Sequence, residues 1–132
     1  MNILGWIYDE YKVEDKPEKQ WGYLFTVDGK RLEFEDFIPM NGYDILEMDF
    51  LSDTQTCWIA PCLECCFCGF IDCNPVQTLV KFDGDIVFWT VFTLDDGMPK
   101  TLGGYCFYKE QYRQTIHSLF EHIKDAQANG GQ

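Results

Sequence analysis

The sequence predicts an α+β fold, in which an antiparallel sheet of five to seven strands carries a C-terminal helix on one face. Aromatic residues are abundant, with 11 Phe, 7 Tyr and 4 Trp, and such rings favour a half-buried pleated surface. Two Asp-Gly pairs separate β-forming runs, where glycine tolerates the positive φ of a hairpin turn. Near the C-terminus, apolar residues recur at helical spacing.

The first part of the chain predicts three strands. Residues 2–8 are rich in β-formers, and the charged residues 9–19 read as a surface loop. Residues 20–27 and 31–37 flank Asp28-Gly29 and predict a hairpin. In its second strand, alternation places Leu32, Phe34 and Asp36 on one face, and Glu33, Glu35 and Phe37 on the other.

The middle of the chain has weaker patterns. Residues 43–51 predict a short helix or an irregular segment, because Ile45, Met48 and Leu51 would share a helical face but the run is short. Residues 57–73 contain a proline and a glycine, so we expect one or two short strands with a bend between them.

The last part of the chain predicts a second hairpin, a further strand and the helix. Residues 76–82 and 85–94 flank Asp83-Gly84, and the run IVFWTVFTL predicts a central strand covered on both faces. Residues 95–99 are expected to form a loop. Residues 101–108 predict a strand in which Gly103-Gly104 allows a bulge or a close backbone approach. Residues 109–126 predict a helix whose apolar stripe comprises Tyr112, Ile116, Leu119, Phe120 and Ile123.

Length and charge limit the function classes. A chain of 132 residues is expected to form a single domain. Its net charge of −12, from 22 acids and 10 bases, argues against binding to nucleic acid or an anionic membrane, since both require a basic surface. The charge favours a cationic partner and fast, electrostatically steered association. Plain solubility explains an acidic composition equally well.

The sequence predicts a cytoplasmic protein. Residues 1–8 have neither the basic region nor the apolar length of a signal peptide. No apolar run approaches the ~20 residues of a membrane helix. In the cytoplasm thiols stay reduced, and the odd count of seven cysteines fits poorly with a fully paired disulfide framework.

Four cysteines have the spacing of a metal-binding cluster. Cys62, Cys65 and Cys68 form C-x2-C-x2-C, and Cys73 follows near Pro75. This run resembles the ferredoxin cluster motif C-x2-C-x2-C-x3-C-P, but its last gap is one residue longer and Asn74 precedes the proline. The cysteines are either small reduced residues of an apolar strand, or they bind zinc or an iron–sulfur cluster, or they have a redox role. We expect no cofactor, with zinc as the alternative.

The sequence contains no recognisable catalytic motif. His117 and His122 lie five residues apart on the predicted helix, so they do not share a face as two metal ligands would. We expect both to be surface residues of the helix. Nucleophile elbows, phosphate-binding loops and H-E-x-x-H motifs are all absent from the sequence. A non-enzymatic function is therefore expected.

Residues 32–80 contain nine acids and no Lys, Arg or His. Aromatic residues such as Phe37, Tyr43 and Phe50 alternate with these acids. Carboxylates bind Arg and Lys, and aromatic side chains supply desolvated contact area, so this composition is typical of a protein-binding surface. The candidate partner-binding residues are Glu33, Glu35, Asp36, Asp44, Glu47, Asp49 and Asp53.

In size, acidity and class, the chain resembles the immunity proteins that neutralise bacterial nuclease toxins. Those proteins are small and cytoplasmic, and they use acidic surfaces to cover a basic nuclease site. The resemblance implies a non-catalytic protein that binds a basic toxin domain directly. It concerns composition alone, so no family residue is carried over to this chain.

Overall fold

The structure is a computed structural model that describes residues 1–12, 19–34, 38–61 and 75–129. These residues form two antiparallel sheets and two helices. The first sheet has the order β1-β2-β3 and the second the order β4-β5-β6-β7. The strands are β1 (Leu4–Lys12), β2 (Lys19–Val27), β3 (Lys30–Arg31), β4 (Gln55–Ala60), β5 (Val76–Asp83), β6 (Ile86–Asp95) and β7 (Met98–Tyr108). The helices are α1 (Gly42–Leu46) and α2 (Lys109–Ala128).

The predicted α+β class, the antiparallel pairing and the C-terminal helix are confirmed, but the prediction of one sheet was wrong. Seven strands are divided between sheets of three and four. The sheets meet at Asn2, which forms a parallel bridge with Phe107 on the edge of β7. Asn2 N–H donates to the Cys106 carbonyl at 2.8 Å, and Cys106 N–H donates to Asn2 Oδ1 at 3.0 Å. After Asn2 the chain leaves the edge of β7 and continues as β1, which pairs with β2. The hydrogen-bonded ladder is therefore not continuous from one sheet to the other.

The first hairpin lies where the sequence predicts it. Asp28 and Gly29 both have positive φ, 54° and 80°, and Val27 pairs with Lys30, which is a type I′ turn. The strand after the turn contains only two residues instead of the predicted 31–37. The predicted apolar alternation nevertheless holds, because Leu32 and Phe34 pack against the core.

The second sheet is a meander with two tight turns. Asp83 pairs with Ile86, and Gly84 has φ 59°, which makes the predicted hairpin a type II′ turn. At Asp96-Gly97 both φ values are positive, 50° and 76°, so the loop expected at residues 95–99 is a type I′ turn. For this reason β7 begins at Met98 and not at residue 101. A bulge occurs at residue 102, directly before the Gly103-Gly104 pair at which the sequence allowed one, since Val91 pairs with Gly103 and Phe92 with Thr101.

One core joins both sheets and both helices. The predicted stripe of α2 is confirmed, and its buried residues Tyr112, Ile116, Leu119 and Ile123 contact residues of each sheet. Burying one such side chain stabilises a fold by about 1.5–3 kcal/mol. The Gln111 amide fastens α2 to the start of β1, because it accepts from Leu4 N–H at 3.1 Å and donates to the Leu4 carbonyl at 2.8 Å.

The strand β6 is central, as predicted, because it lies between β5 and β7. The expectation that both of its faces are covered was wrong for the described part of the chain. Val87, Trp89 and Val91 are buried, but Phe88 on the opposite face is 40% exposed. Among the described residues, no helix has the length and apolarity to cross a membrane.

Candidate functional site

Residues 41–53, called here the acidic segment, lead from the first sheet to the second and carry four of the predicted carboxylates. The approach to this segment is fixed on β2, where Tyr23 and Met40 exchange backbone hydrogen bonds of 2.8 and 3.0 Å. Gly22 makes this approach possible, because an added Cβ would lie 2.6 Å from Pro39 Cβ. The acidic segment therefore starts from a defined position beside the first sheet.

The helix α1 begins with a side-chain cap. Asn41 Oδ1 accepts from Asp44 N–H at 2.9 Å, and Asn41 Nδ2 donates to Asp44 Oδ2 at 2.8 Å. An asparagine in this position satisfies a backbone donor that has no partner within the helix. Ile45 is fully buried and turns the helix towards the core, whereas Tyr43 is 59% exposed. The cap and the buried Ile45 hold Asp44 and Tyr43 near the surface.

A buried hydrogen-bond chain holds the middle of the acidic segment. Tyr112 Oη donates to the Phe50 carbonyl at 2.6 Å and accepts from Trp89 Nε1 at 3.1 Å. Burial raises the pKa of Tyr112 well above its ordinary value, so the phenol remains a donor. Phe50 was expected among the surface aromatics, but it is 1% exposed and packs against Phe25 and Trp89. Phe37 lies outside the described residues.

Asp49 accepts two hydrogen bonds, one with its side chain and one with its backbone carbonyl. Its Oδ1 accepts from Leu51 N–H at 3.1 Å, and its carbonyl accepts from Cys57 Sγ at 3.2 Å. Burial, together with the nearby Asp49 charge, raises the pKa of the Cys57 thiol to about 12. This thiol is therefore neutral at physiological pH, and Cys57 acts as a small core residue that donates one weak hydrogen bond.

Asp53 fixes the end of the acidic segment to the second sheet. Its Oδ1 accepts from Phe82 N–H at 2.8 Å, which continues the hydrogen bonding between β4 and β5 beyond Gln55. This hydrogen bond is the main cause of the lowered pKa of Asp53, and the positive charge of Lys81 contributes in the same direction. Asp53 thus remains ionised at neutral pH and stays exposed.

The other predicted partner-binding residues lie apart from these anchors. Glu47 is exposed directly after α1. Glu33 follows β3, where its Oε1 lies 2.7 Å from Arg31 Nε, and the same guanidinium contacts Asp9 Oδ2 at 2.9 Å. Part of the Glu33 charge is therefore compensated locally. Glu35 and Asp36 lie outside the described residues.

The cysteines of the alternative metal site, Cys62, Cys65, Cys68 and Cys73, also lie outside the described residues. Within the ranges that the structure describes, no three His, Cys, Asp or Glu side chains come together as ligands of a metal ion. Cys106, the last of the seven cysteines in the sequence, lies in β7 and is a partly exposed free cysteine.

The first sheet carries an aromatic cluster that was not predicted from the sequence. The Trp21 ring is 51% exposed and stacks on Tyr8, with centroids 5.2 Å apart, and Tyr8 lies 4.6 Å from Tyr23. The Tyr23 hydroxyl lies 3.0 Å from His122 Nδ1, and the His122 ring lies 4.9 Å from Trp6. His122 is on the helix surface as expected, but it also ties α2 to this cluster. The sequence does contain a signal for this cluster, because β1 and β2 each have two aromatic residues that lie two positions apart and therefore share a face.

A surface cleft of about 770 Å³ lies at the start of α2. Lys109, Arg113 and His117 line it at helical spacing, and the carboxylates of Asp85 and Glu110 lie in the same cleft. Lys109 Nζ also lies 5.2 Å from the centroid of the Phe82 ring. The cleft carries both signs of charge, so it lacks the uniform potential that selects an ionic ligand.

Comparisons of the chain with protein-family models, curated proteins and solved structures give no match.

Proposed function

We propose that this chain is a non-catalytic binding protein of the immunity type, which neutralises a cationic, nuclease-type toxin domain by direct binding. The partner is a basic protein, and the contact surface is the acidic segment together with Glu33, Glu35 and Asp36. Negative charge on this surface steers the partner into contact, and carboxylates pair with its Lys and Arg side chains.

The observation that carries this proposal is the attachment of the acidic segment to the core and to β5. Three hydrogen bonds to the core or to β5 hold it, from Tyr112 to the Phe50 carbonyl, from Cys57 to the Asp49 carbonyl and from Phe82 to Asp53. A surface that is ordered before binding loses less conformational entropy when the complex forms. Exposed Tyr43 adds an aromatic side chain of the kind enriched in protein interfaces.

The experiment first searches the reading frames next to the gene of this chain for a large protein with a basic C-terminal domain, and then measures the association of the chain with that domain. In the variant Glu47→Gln/Asp49→Asn two charges are removed, but Asn retains the oxygen that accepts from Leu51 N–H. We expect the association rate constant at low salt to fall roughly 3- to 10-fold, and its salt dependence to become flatter. Stopped-flow fluorescence at several ionic strengths measures both quantities.

The matched control is Asp95→Asn/Asp96→Asn, which removes the same two charges at the turn between β6 and β7. Since Asn also tolerates positive φ, this turn keeps its geometry. We expect a smaller effect on the rate because these acids lie at the far end of β6 from Asp53. Equal effects of the two variants, or an association rate that does not depend on salt, would contradict the proposed surface.

The alternative function is a metal or redox module built on Cys62, Cys65, Cys68 and Cys73. The C-x2-C-x2-C spacing supports it. Elemental analysis of the purified chain separates the two proposals, because a metal module contains stoichiometric zinc or iron and a toxin-binding protein does not require either.

A further inference from the structure

Asn41 is followed by a glycine at the position where the acidic segment begins. Because Gly42 has no side chain, its backbone nitrogen can approach the amide carbon of the preceding asparagine closely. Asparagine is one of the thermally labile residues of proteins. The Asn41 side chain is exposed to solvent, so the water that its hydrolysis consumes is available. The pair Asn41-Gly42 is therefore a candidate site of spontaneous deamidation.

Deamidation at this pair requires neither an enzyme nor an oxidant. The Gly42 backbone nitrogen gives up its proton and attacks Asn41 Cγ. A new C–N bond forms, the bond from Cγ to Nδ2 breaks, and Nδ2 leaves as ammonia. Water then opens the cyclic imide at one of its two carbonyl carbons. The product is aspartate or its isomer, in which the main chain runs through the former side-chain carbon. In total, one water is consumed and one ammonia is released.

The folded chain opposes this reaction in three ways. Oδ1 of Asn41 accepts from Asp44 N–H at 2.9 Å and Nδ2 donates to Asp44 Oδ2 at 2.8 Å, so the amide is held at both ends. Ring closure requires the Gly42 nitrogen to be nearly eclipsed with Asn41 Cβ about the Cα–C bond, and at the observed ψ of 157° it is not. Gly42 is also buried, which limits the transfer of its proton to water.

We propose that Asn41 is a latent deamidation site whose rate of reaction is controlled by the cap of α1. While the cap is closed the amide is protected, and Asn41 reacts during the local opening of α1. Elements with few buried contacts open locally more often than the whole fold does. The helix α1 has five residues, of which Gly42 and Ile45 are buried. The extent of the reaction thus records how often the start of the acidic segment opens.

Deamidation changes the start of the acidic segment irreversibly. The new carboxylate can still accept from Asp44 N–H, since aspartate also caps helices. It cannot donate to Asp44 Oδ2, so two carboxylates take the place of a hydrogen-bonded pair at 2.8 Å and repel each other. The isomer in addition lengthens the main chain by one carbon. Both products weaken the cap of α1 and add a negative charge, whether or not the acidic segment binds a toxin.

The test compares the two Asn-Gly pairs of the chain, Asn41-Gly42 and Asn129-Gly130. Asn129 is exposed after the last turn of α2, where helices fray. The full chain is incubated at neutral pH, and peptide mass spectrometry measures the conversion of each asparagine over time. We expect Asn129 to react at least about 10-fold faster than Asn41 in the folded chain, and the two rates to converge in urea.

Two substitutions of Asp44 separate hydrogen bonding from charge. Asp44→Ala removes the acceptor for Asn41 Nδ2, and we expect Asn41 to react at least about 5-fold faster than in the wild-type chain. Asp44→Asn is the matched control, because it removes the charge but keeps an oxygen that accepts from Nδ2. We expect its Asn41 rate to stay within about 2-fold of wild type. The rate at Asn129 is expected to be the same in all three chains.

Circular dichroism verifies that each variant is folded. A folded wild-type chain in which Asn41 reacts as fast as Asn129 would overturn the inference, and so would a folded Asp44→Ala chain that reacts at the wild-type rate. If Asp44→Ala is not folded, the ratio of the two wild-type rates, with and without urea, decides alone.

Discussion

The two faces of β6 show how one strand takes part in two different surfaces. Its inner face carries Val87, Trp89 and Val91 into the core, and Trp89 reaches the acidic segment through the hydroxyl of Tyr112. Its outer face carries Phe88, which stays partly exposed. Both faces are apolar in sequence, so hydrophobicity alone does not distinguish the core face from the partly exposed face. The difference comes from what packs against each side.

The sharpest test of this comparison replaces neighbouring aromatic residues of β6 by the same residue. Trp89→Thr removes a fully buried ring and leaves a cavity, so we expect the free energy of unfolding to fall by about 3–5 kcal/mol. Phe88→Thr removes a partly exposed ring and keeps a β-branched residue, so we expect less than about 1.5 kcal/mol. Urea unfolding of the two variants and of wild type measures both losses. Equal losses would show that the outer face of β6 is also core.

The second prediction concerns the link between the inner face of β6 and the acidic segment. Tyr112→Phe keeps the ring and removes the hydroxyl, which leaves Trp89 Nε1 and the Phe50 carbonyl without this partner. We expect the free energy of unfolding to fall by about 1–3 kcal/mol, because a buried polar group without a hydrogen bond is costly. We also expect faster amide exchange in the acidic segment.

Tyr105→Phe is the control for the second prediction, since it removes a hydroxyl from a tyrosine that is only partly buried in β7. An acidic segment whose amide exchange is unchanged in Tyr112→Phe would show that this hydrogen bond is not an anchor.

The third prediction is a smaller, pH-dependent effect at the end of the acidic segment. The hydrogen bond from Phe82 N–H lowers the pKa of Asp53 below its ordinary value of 3.8. The stabilisation is therefore complete above that value and is lost as the pH falls through the lower pKa of the folded state. In Asp53→Asn the residue cannot titrate, so we expect a shallower loss of stability in this acidic range.

Thermal unfolding between about pH 2 and 6 measures the third prediction. Glu121→Gln on the exposed surface of α2 removes one carboxylate and serves as the control. An Asp53→Asn profile that coincides with that of wild type would rule out the contribution of Asp53.

The sequence could predict those parts of the fold that depend on near neighbours. Asp28-Gly29 and Gly84 predicted their turns because glycine and aspartate tolerate the required φ. The residues 109–126 predicted α2 because 3.6-residue periodicity is a local property. Two other local features were predicted wrongly. Asp96-Gly97 was expected to lie in a loop and forms a tight turn, and β3 is shorter than expected.

The candidate site was predictable only as composition. The absence of bases from residues 32–80 identified an acidic surface, but its aromatic residues were not equivalent, since Tyr43 is exposed and Phe50 is buried. The cluster around Tyr23 and His122 could not be predicted from helix periodicity either. These residues are 99 positions apart and meet only because α2 packs on the first sheet.

The sequence by itself therefore determined the α+β class, the helix, the central position of β6 and the excess of negative charge. The division into two sheets was decided by the tertiary structure, because Asn2 pairs with β7 across more than a hundred residues before the chain turns into β1. The tertiary structure also decided which face of β6 became core and how the acidic segment was anchored. The physical reason is that turns and periodicity depend on backbone angles of adjacent residues, whereas burial and buried hydrogen bonds depend on which distant segments pack together.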